Sequence, residues 1–413
     1  MLLQRENECL YLETSFNRSS SSLCFIFGAQ QIGKTSLIQT YIGKKKSLYF
    51  CFNEMLQSLQ FKHLTHNQCD DFDGFLHLLS GLHFTQKTII VLEDFHHLVK
   101  LDKQNFLVLL HHWNTTLCKL NIQLLITSST DSFYKMAQTQ NSIESLYLKP
   151  LDFRVIKSII ATNDTYLQLC IYATFGTHVP YLKQYDLSKS FYENIKTIFL
   201  NPQLQHFQAP LHALKSFTND IATYSSILYA IACGHTKIGQ IAQFLNVKPS
   251  YLTRYLQTLI EHMIIEKKVP LLEDKSKSKN GRYEFCSFYM KFWFAYIYAN
   301  LSYVNHHKKD EIIQLIQQNF KSTLLLNSYK AYILTLIQSN SKAFLNYEAT
   351  HIGSWWNHHG NHIDVIACNQ THISFMNCKL QNTQQAMFFK EELMKNALEF
   401  KTDLKKQYGI FLL

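Results

Sequence analysis

A parallel α/β fold is predicted for the first 150 residues, then a helical region, then a second and smaller α/β region at the C-terminal end. Three observations predict it. Up to Leu148, short apolar runs alternate with helical or loop-like stretches, the pattern of parallel strands joined by helices. From about 151 to 340 the periodicity is helical, with few strand signals. Near 345 short runs return, in NYEATHIGSWW, HIDVIAC and HISFMNCKL, followed by a helical stretch at 387–406 and a last run, YGIFLL.

In the first region the strands are LCFIF (after the polar run Ser19–Ser22), SLYFCF (47–52), TIIVL (88–92), QLLIT (123–127) and ESLYL (144–148). Each is short and apolar, as a strand buried on both faces requires. With 46% hydrophobic and 17% charged residues, the chain is able to bury a core and is not disordered. The formal charge of +10 favours anionic partners without naming one. Ten cysteines without a C-x-x-C pair signal neither a disulfide framework nor a four-cysteine zinc site. The start, MLLQRENECLYLETSF, is charged where a signal peptide needs an apolar core. The apolar stretch FCSFYMKFWFAYIYANLSYV is interrupted by Lys291 and reads as a buried helix rather than a membrane span. A cytoplasmic location and no membrane partner are therefore expected.

Residues 28–35 read GAQQIGKT, the pattern G-x-x-x-x-G-K-[ST], between a strand and a helical stretch. Gly28 and Gly33 let the backbone N–H groups of Ala29, Gln30, Gln31 and Ile32 turn inward to phosphate oxygens. The helix opening at Lys34, Thr35 and Ser36 adds its dipole. Lys34 supplies charge at the β and γ phosphates of a nucleoside triphosphate, and Thr35 a hydroxyl to Mg2+. A strand ending in two carboxylates follows, TIIVLEDFHHL (88–98), with the acids in the order Glu93–Asp94. Glu93 is the expected Mg2+ ligand and Asp94 the group that polarises water. QLLITSST (123–130) is expected between the other two motif strands, where Thr127, Ser128 or Ser129 reaches the phosphate or forms an ordinary turn.

With these pieces in place, the chain resembles the archaeal-type ATPases, a STAND branch of the AAA+-related P-loop NTPases. Arg5-Glu6-Asn7-Glu8 is similar to that family's R-E-x-E box, which implies a place for Arg5 beside the nucleotide. GAQQIGKTSLI resembles G-R-R-R-V-G-K-T-x-L-I, with Gln30 and Gln31 in place of basic residues, and VLEDFHHL resembles V-I-D-E-F-Q-x-L with the acids reversed. ATFGTHVPYL (173–182) resembles T-G-G-x-P-x-Y-L, which implies that Pro180 packs near the base, with Thr177 and His178 where the family has glycines. The stretch from Lys237 to Phe285 resembles the family's winged helix, and GRYEFCSFYMKFWFAYI its G-x-Y-x-x-x-D-x-F-x-x-F-W-F segment, with Ser287 at the aspartate. The C-terminal part resembles the nuclease module often fused to these ATPases, and Trp355-Trp356 matches its W-W pair. The implied fold is an α/β P-loop NTPase, a parallel sheet flanked by helices, followed by an all-α/winged-helix domain and a small α/β restriction-endonuclease-like domain. The implied organisation is an ATPase core at 1–150, a helical lid at 151–210, a winged helix-turn-helix at 211–305 and a nuclease-like domain at 306–413.

Read on its own residues, 238–247 is a helix ending before Pro249, and 249–264 a second one that Ser250 is placed to cap. Leu252, Leu256, Leu259 and Ile260 are expected inside; Thr253, Arg254 and Gln257 are expected outside, on the face that enters a major groove in helix-turn-helix proteins. IIEKKV and RYEF are the expected wing strands, with a basic loop between them, and Lys275, Lys277, Lys279 and Arg282, in or at the edge of that loop, are placed to meet phosphates. A solvated basic loop and a protein-contact module are equally open readings. In the C-terminal region Asp364 and Lys379 match a PD-(D/E)-x-K nuclease, Asn377 stands where the glutamate belongs, and Glu348, Glu391 or Glu392 are the acids left to compensate. His351, His358, His359 and His362, with Cys368 and Cys378, crowd this region without a zinc-ligand spacing. Arg154 and Arg254 are candidates for an arginine finger with no motif behind them.

The expected function is an ATP- and Mg2+-dependent switch acting on double-stranded DNA or a protein partner. Two alternatives stay open, a non-hydrolysing ATP-bound scaffold and an ATP-gated nuclease. ATP over GTP rests on the resemblance.

Overall fold

A computed structural model describes residues 5–30, 32–52, 69–138, 143–274, 277–305, 308–380, 385–400 and 402–413. The chain divides into two compact units, 1–151 with 258–263, and 152–257 with 264–413.

The first unit is built on five parallel strands: β1 (Ser22–Phe27), β2 (Ser47–Cys51), β3 (Thr88–Glu93), β4 (Ile122–Ser128) and β5 (Glu144–Tyr147), in the order β2-β3-β4-β1-β5. The QLLITS strand lies between the other two motif strands, as its sequence predicts. The three central strands are buried at every position, which is why they read as unbroken apolar runs. Strand alternation sends Leu23, Phe25 and Phe27 to one face, against the helices Phe72–Ser80 and Gln104–Thr115. Cys24 and Ile26 go to the other, against Leu37, Ile38 and Tyr41 of the Lys34–Ile42 helix and Leu12 of the Glu6–Phe16 helix. Each large side chain so buried contributes about 1.5–3 kcal/mol. Gln123 is one of the buried polar residues of the central strands; it accepts from the Tyr41 hydroxyl at 2.8 Å and donates to Leu12 O at 2.9 Å, tying both helices to β4.

The second unit opens with helices that include Thr165–Phe175, Val179–Leu182, Ile221–Ala232 and Ile238–Phe244; the helix Pro249–Glu261 follows, its residues from 258 on grouped with the first unit. In the last of these Leu252, Leu256 and Leu259 are buried, Ile260 is half-buried, and Thr253, Arg254 and Gln257 are exposed. Ser250 is not the cap: the helix starts at Pro249, whose fixed φ suits the first turn, so Ser250 lies inside it. β6 (Ile265–Lys268) and β7 (Arg282–Phe285) form an antiparallel pair. The apolar stretch after it is a buried helical run, Phe288–Phe292 continuing through a π-turn at Trp293–Ile297, with Phe292, Trp293, Phe294 and Ile297 fully buried. Among the described residues no helix is long and apolar enough to cross a membrane.

The C-terminal sheet is separate, ordered β11-β10-β9-β8 from β8 (His351–Trp356), β9 (His362–Cys368), β10 (His372–Lys379) and β11 (Lys405–Leu412). β10 and β11 run parallel, and the helix Ala386–Ala397 lies in the crossover that such a pair requires. The chain between β6 and β7 is anchored on this sheet, since Leu271 N donates to Ser354 O at 2.8 Å and the Trp356 indole donates to Asn280 O at 2.8 Å.

Candidate nucleotide-binding site

The glycine-lysine loop sits where β1 hands over to the Lys34–Ile42 helix. At Gly28 a Cβ would lie 2.9 Å from Ile32 Cγ2 and 3.0 Å from Leu148 O, so only glycine allows this approach to the end of β5. Gly33 has φ 97°, a left-handed conformation, and a Cβ there would meet no atom within 4 Å; its constraint is the backbone, and the space above it is open. The helix it precedes has no side-chain cap, which leaves the first N–H groups and the positive dipole end to that space. Such a cradle fits an anion.

Lys34 is 7% exposed, and its Nζ donates to Gly28 O at 2.8 Å, Ala29 O at 3.0 Å and Ser129 Oγ at 2.7 Å. Burial brings its pKa down from 10.5 to about 8, against the pull of Asp94 and Glu93 in the other direction. The Thr35 hydroxyl donates to Glu93 Oε1, and the Tyr49 hydroxyl to Glu93 Oε2 at 2.6 Å. Thr35 and Glu93 thus bring together two oxygens of the kind Mg2+ takes, and the pair fits that ion.

Asp94 leaves β3 with φ 56°, uncommon for a residue with a side chain. The conformation is held from both sides, since Asp94 N donates to Thr127 Oγ1 at 2.8 Å and Phe95 N to Thr127 O at 2.9 Å. Phe95 is fully buried, which anchors the turn in the core. Burial raises the Asp94 carboxyl pKa, with the Lys34 charge opposing it. His96 lies 4.0 Å from Asp94 Oδ1, but burial pushes its pKa down to about 2, so the contact is with a neutral ring. The end of β4 sorts its three hydroxyls by strand alternation. Thr127 and Ser129 point to the site, whereas Ser128 Oγ lies 3.3 Å from Thr130 Oγ1 in a local turn.

Arg5 is buried and donates to Lys149 O at 2.8 Å and Ile32 O at 3.4 Å, with Glu8 at 2.7 Å. It therefore braces the phosphate loop against the end of β5. Ala29 is half-buried; Gln30, Thr35 and Ser36 are exposed, and Gln31 lies outside the described residues. Tyr49 was not signalled by any motif, while His96 lies within the VLEDFHHL run without a role read for it. Tyr49 reaches Glu93 only because β2 pairs with β3, with Cys51 opposite Glu93.

Pro180 belongs to the second unit, where it is exposed in the first turn of Val179–Leu182. In the same unit His178 Nε2 lies 3.1 Å from Ser287 Oγ, so two positions that depart from the resemblance, a glycine and an aspartate, contact each other. Burial holds His178 neutral, with a pKa of about 4. Between β6 and β7, Lys277 and Lys279 are exposed and Lys275 lies outside the described residues. Arg282 opens β7, the strand read from RYEF, and its guanidinium lies 4.5 Å over the Trp356 ring. Arg154 is tied to the Asp152 carboxylate two residues away.

In the C-terminal sheet Asp364 and Asn377 face each other on β9 and β10, with Asp364 N donating to Asn377 Oδ1 at 2.9 Å and Cys378 N to Asp364 Oδ2 at 2.9 Å. Lys330, unmarked by any motif, sets its Nζ 2.8 Å from Asp364 Oδ1, and His362 Nε2 lies 3.1 Å from the same oxygen. Lys379 pairs with Glu392 at 3.3 Å, so Glu392 balances the lysine rather than replacing an acid beside Asp364. Glu348 and Glu391 are exposed. His358, His359 and His362 form no grouping of three metal-ligand atoms among the described residues.

A parallel five-stranded sheet with flanking helices and a glycine-lysine loop after its first strand resembles the P-loop NTPase fold. The chain is similar to the Walker-type ATPase of Pyrococcus abyssi, with a TM-score of 0.50 and 12% identity over 71% of this chain and 96% of that one, a likeness of fold. A signal-transduction ATPase (STAND) protein with a tetratricopeptide repeat sensor from Pyrococcus horikoshii matches at a TM-score of 0.31 and 13% identity over 81% of this chain and 50% of that one, too low to argue from. An uncharacterized protein of Methanocaldococcus jannaschii is 26% identical over 438 residues, spanning 99% of this chain and 95% of that protein. A family described as archaea bacterial proteins of unknown function (DUF234) matches residues 293–391.

Proposed function

We propose that the chain is a Mg-ATP-dependent switch whose nucleotide is held by Lys34, Thr35 and the backbone of residues 28–33, with Glu93 as the carboxylate of the Mg2+ site. The observation that carries this reading is the convergence of Lys34, Ser129, Thr35 and Glu93 from three elements at one open loop. Mg2+ would neutralise phosphate charge beside Thr35 and Glu93. The protein's own part is to hold Lys34 ready among three oxygens, to orient Glu93 through the Tyr49 hydroxyl, and to aim Asp94 and Ser129 at the same opening. Arg5 keeps the loop in place from behind, and ATP rather than GTP is taken from the resemblance.

The output belongs to the later segments, read as a helical lid at 151–210, a winged helix at 211–305 and a nuclease-like module at 306–413. Support for the winged helix comes from the exposed Thr253, Arg254 and Gln257 and from the β6–β7 pair. In the nuclease-like module the Lys330 ammonium lies on Asp364, and Asn377 is spent on a backbone hydrogen bond. A cation bound by protein where a metal ligand is needed supports a module that does not cleave.

A second reading, a scaffold that binds ATP without turnover, is favoured by the reversed Glu93–Asp94 order, with Asp94 leaving β3 through a left-handed φ of 56°. One experiment separates these. ATP hydrolysis is measured with Mg2+, with and without duplex DNA, in wild type and Lys34→Ala. The switch predicts turnover that Lys34→Ala abolishes while plasmid DNA stays intact. ATP binding lost in Lys34→Ala, with no turnover in wild type, selects the scaffold; metal-dependent DNA nicking selects the nuclease.

A further inference from the structure

We propose that Asp73, His77 and His112 bind one divalent transition-metal ion of the zinc class, using none of the residues of the nucleotide site. Asp73 and His77 are one turn apart on the Phe72–Ser80 helix, so they share a face. His112 comes from the neighbouring Gln104–Thr115 helix, and the two helices share one core through Leu76, Leu79, Leu109 and Trp113.

The donor atoms are already gathered. His112 Nε2 lies 2.8 Å from Asp73 Oδ1 and His77 Nε2 3.7 Å from Asp73 Oδ2, and one donor atom of each residue lies within 4.8 Å of the other two. A tetrahedral ion with bonds of about 2.0–2.1 Å separates its ligand atoms by about 3.3 Å, a value between those two distances. Small rotations of the exposed Asp73 and His77 side chains therefore close the site. His112 is the fixed member: it is 3% exposed, and its Nδ1 has no hydrogen-bond partner, so the ring's polar contact is at the cluster. The His77 and His112 rings meet edge to face at 4.6 Å.

Two imidazoles and one carboxylate suit zinc, cobalt and nickel better than magnesium, which takes oxygen ligands and keeps its waters. Asp73 and His77 face solvent, with side chains 56% and 70% exposed, which leaves a fourth position to water. The ion would clamp two helices that share the core of one sheet face.

The test uses the full chain, stripped with a chelator and titrated with Co2+ and with Zn2+ in the presence of Mg2+. Wild type is expected to bind one tight equivalent, with the visible Co2+ absorption of a four-coordinate nitrogen and oxygen site. His77→Ala and Asp73→Asn each weaken that equivalent by more than about tenfold. Both side chains are exposed, so these variants fold, and their unchanged far-UV circular dichroism is checked alongside. His359→Ala serves as the control for adventitious binding at exposed histidines and leaves the tight equivalent intact. Absence of a tight equivalent in wild type, or one that survives both variants, overturns the proposal.

Discussion

Lys34 is held with almost no water around it, and this has consequences for both stability and binding. Its pKa falls from 10.5 to about 8 through burial. The folded state therefore binds the proton less tightly than the unfolded chain. Between about pH 8 and 10.5 the unfolded chain carries more protons, so stability rises with pH across that window, and below it the full burial penalty applies. Nucleotide-free Lys34→Met is accordingly expected to be more stable than wild type by about 1–2 kcal/mol at pH 7, with the gap closing as pH rises through about 8; thermal denaturation at several pH values reads it. Phosphate beside the ammonium reverses the shift, so nucleotide binding takes up a proton near pH 8. Affinity should then fall above pH 8, as calorimetry in buffers of different ionisation enthalpy will show. The lysine itself was legible in the G-x-x-x-x-G-K-T spacing, because the loop forms from local sequence. Ser129 was among the candidates at the end of its strand, but its hydrogen bond to Lys34 and the Tyr49 hydroxyl on Glu93 were not legible, because they arrive from β4 and β2 through strand pairing.

The Pro249–Glu261 helix separates into two faces that do different work. Leu252, Leu256 and Leu259 are buried, and Tyr255 joins them with its hydroxyl 3.0 Å from the Asp220 carboxylate. Leu256→Ala is expected to destabilise the fold by about 2–5 kcal/mol, the usual cost of a fully buried leucine. The triple change of Thr253, Arg254 and Gln257 to alanine touches only the exposed face and should shift stability by less than about 1 kcal/mol. Paired with duplex-DNA binding, the two variants separate a recognition face from a packing face; equal loss of stability in both would refute the assignment. The inside and outside positions of this helix were readable from its period. The buried Tyr255 was not, since a tyrosine suits either side until a carboxylate partner is placed beside it. At Arg282 the same limit applied, because its charge reads as a phosphate contact until Trp356, 74 residues on, is brought beneath it.

At the scale of the molecule the excess of cations is the property that bears on partners. A chain of formal charge +10 that binds duplex DNA through Lys277 and Lys279 should lose affinity steeply with salt, and replacing both lysines by alanine should lower the slope of log affinity against log salt by about 2. Unchanged slope with unchanged affinity would place the anionic partner elsewhere. Local pattern was sufficient for the five parallel strands, the glycine turn after β1, the acidic end of β3 and the change of character after residue 150. Each depends on neighbours in sequence: apolar runs of strand length, glycines at a turn, a lysine at a helix start. Only the tertiary structure decided the places of β2 and β5 in the strand order, the Lys330 ammonium on Asp364, the His178–Ser287 contact and the grouping of Asp73, His77 and His112. These join residues up to 120 positions apart through burial and packing, and no period or spacing along the chain encodes which distant side chain will fill the place beside a buried charge.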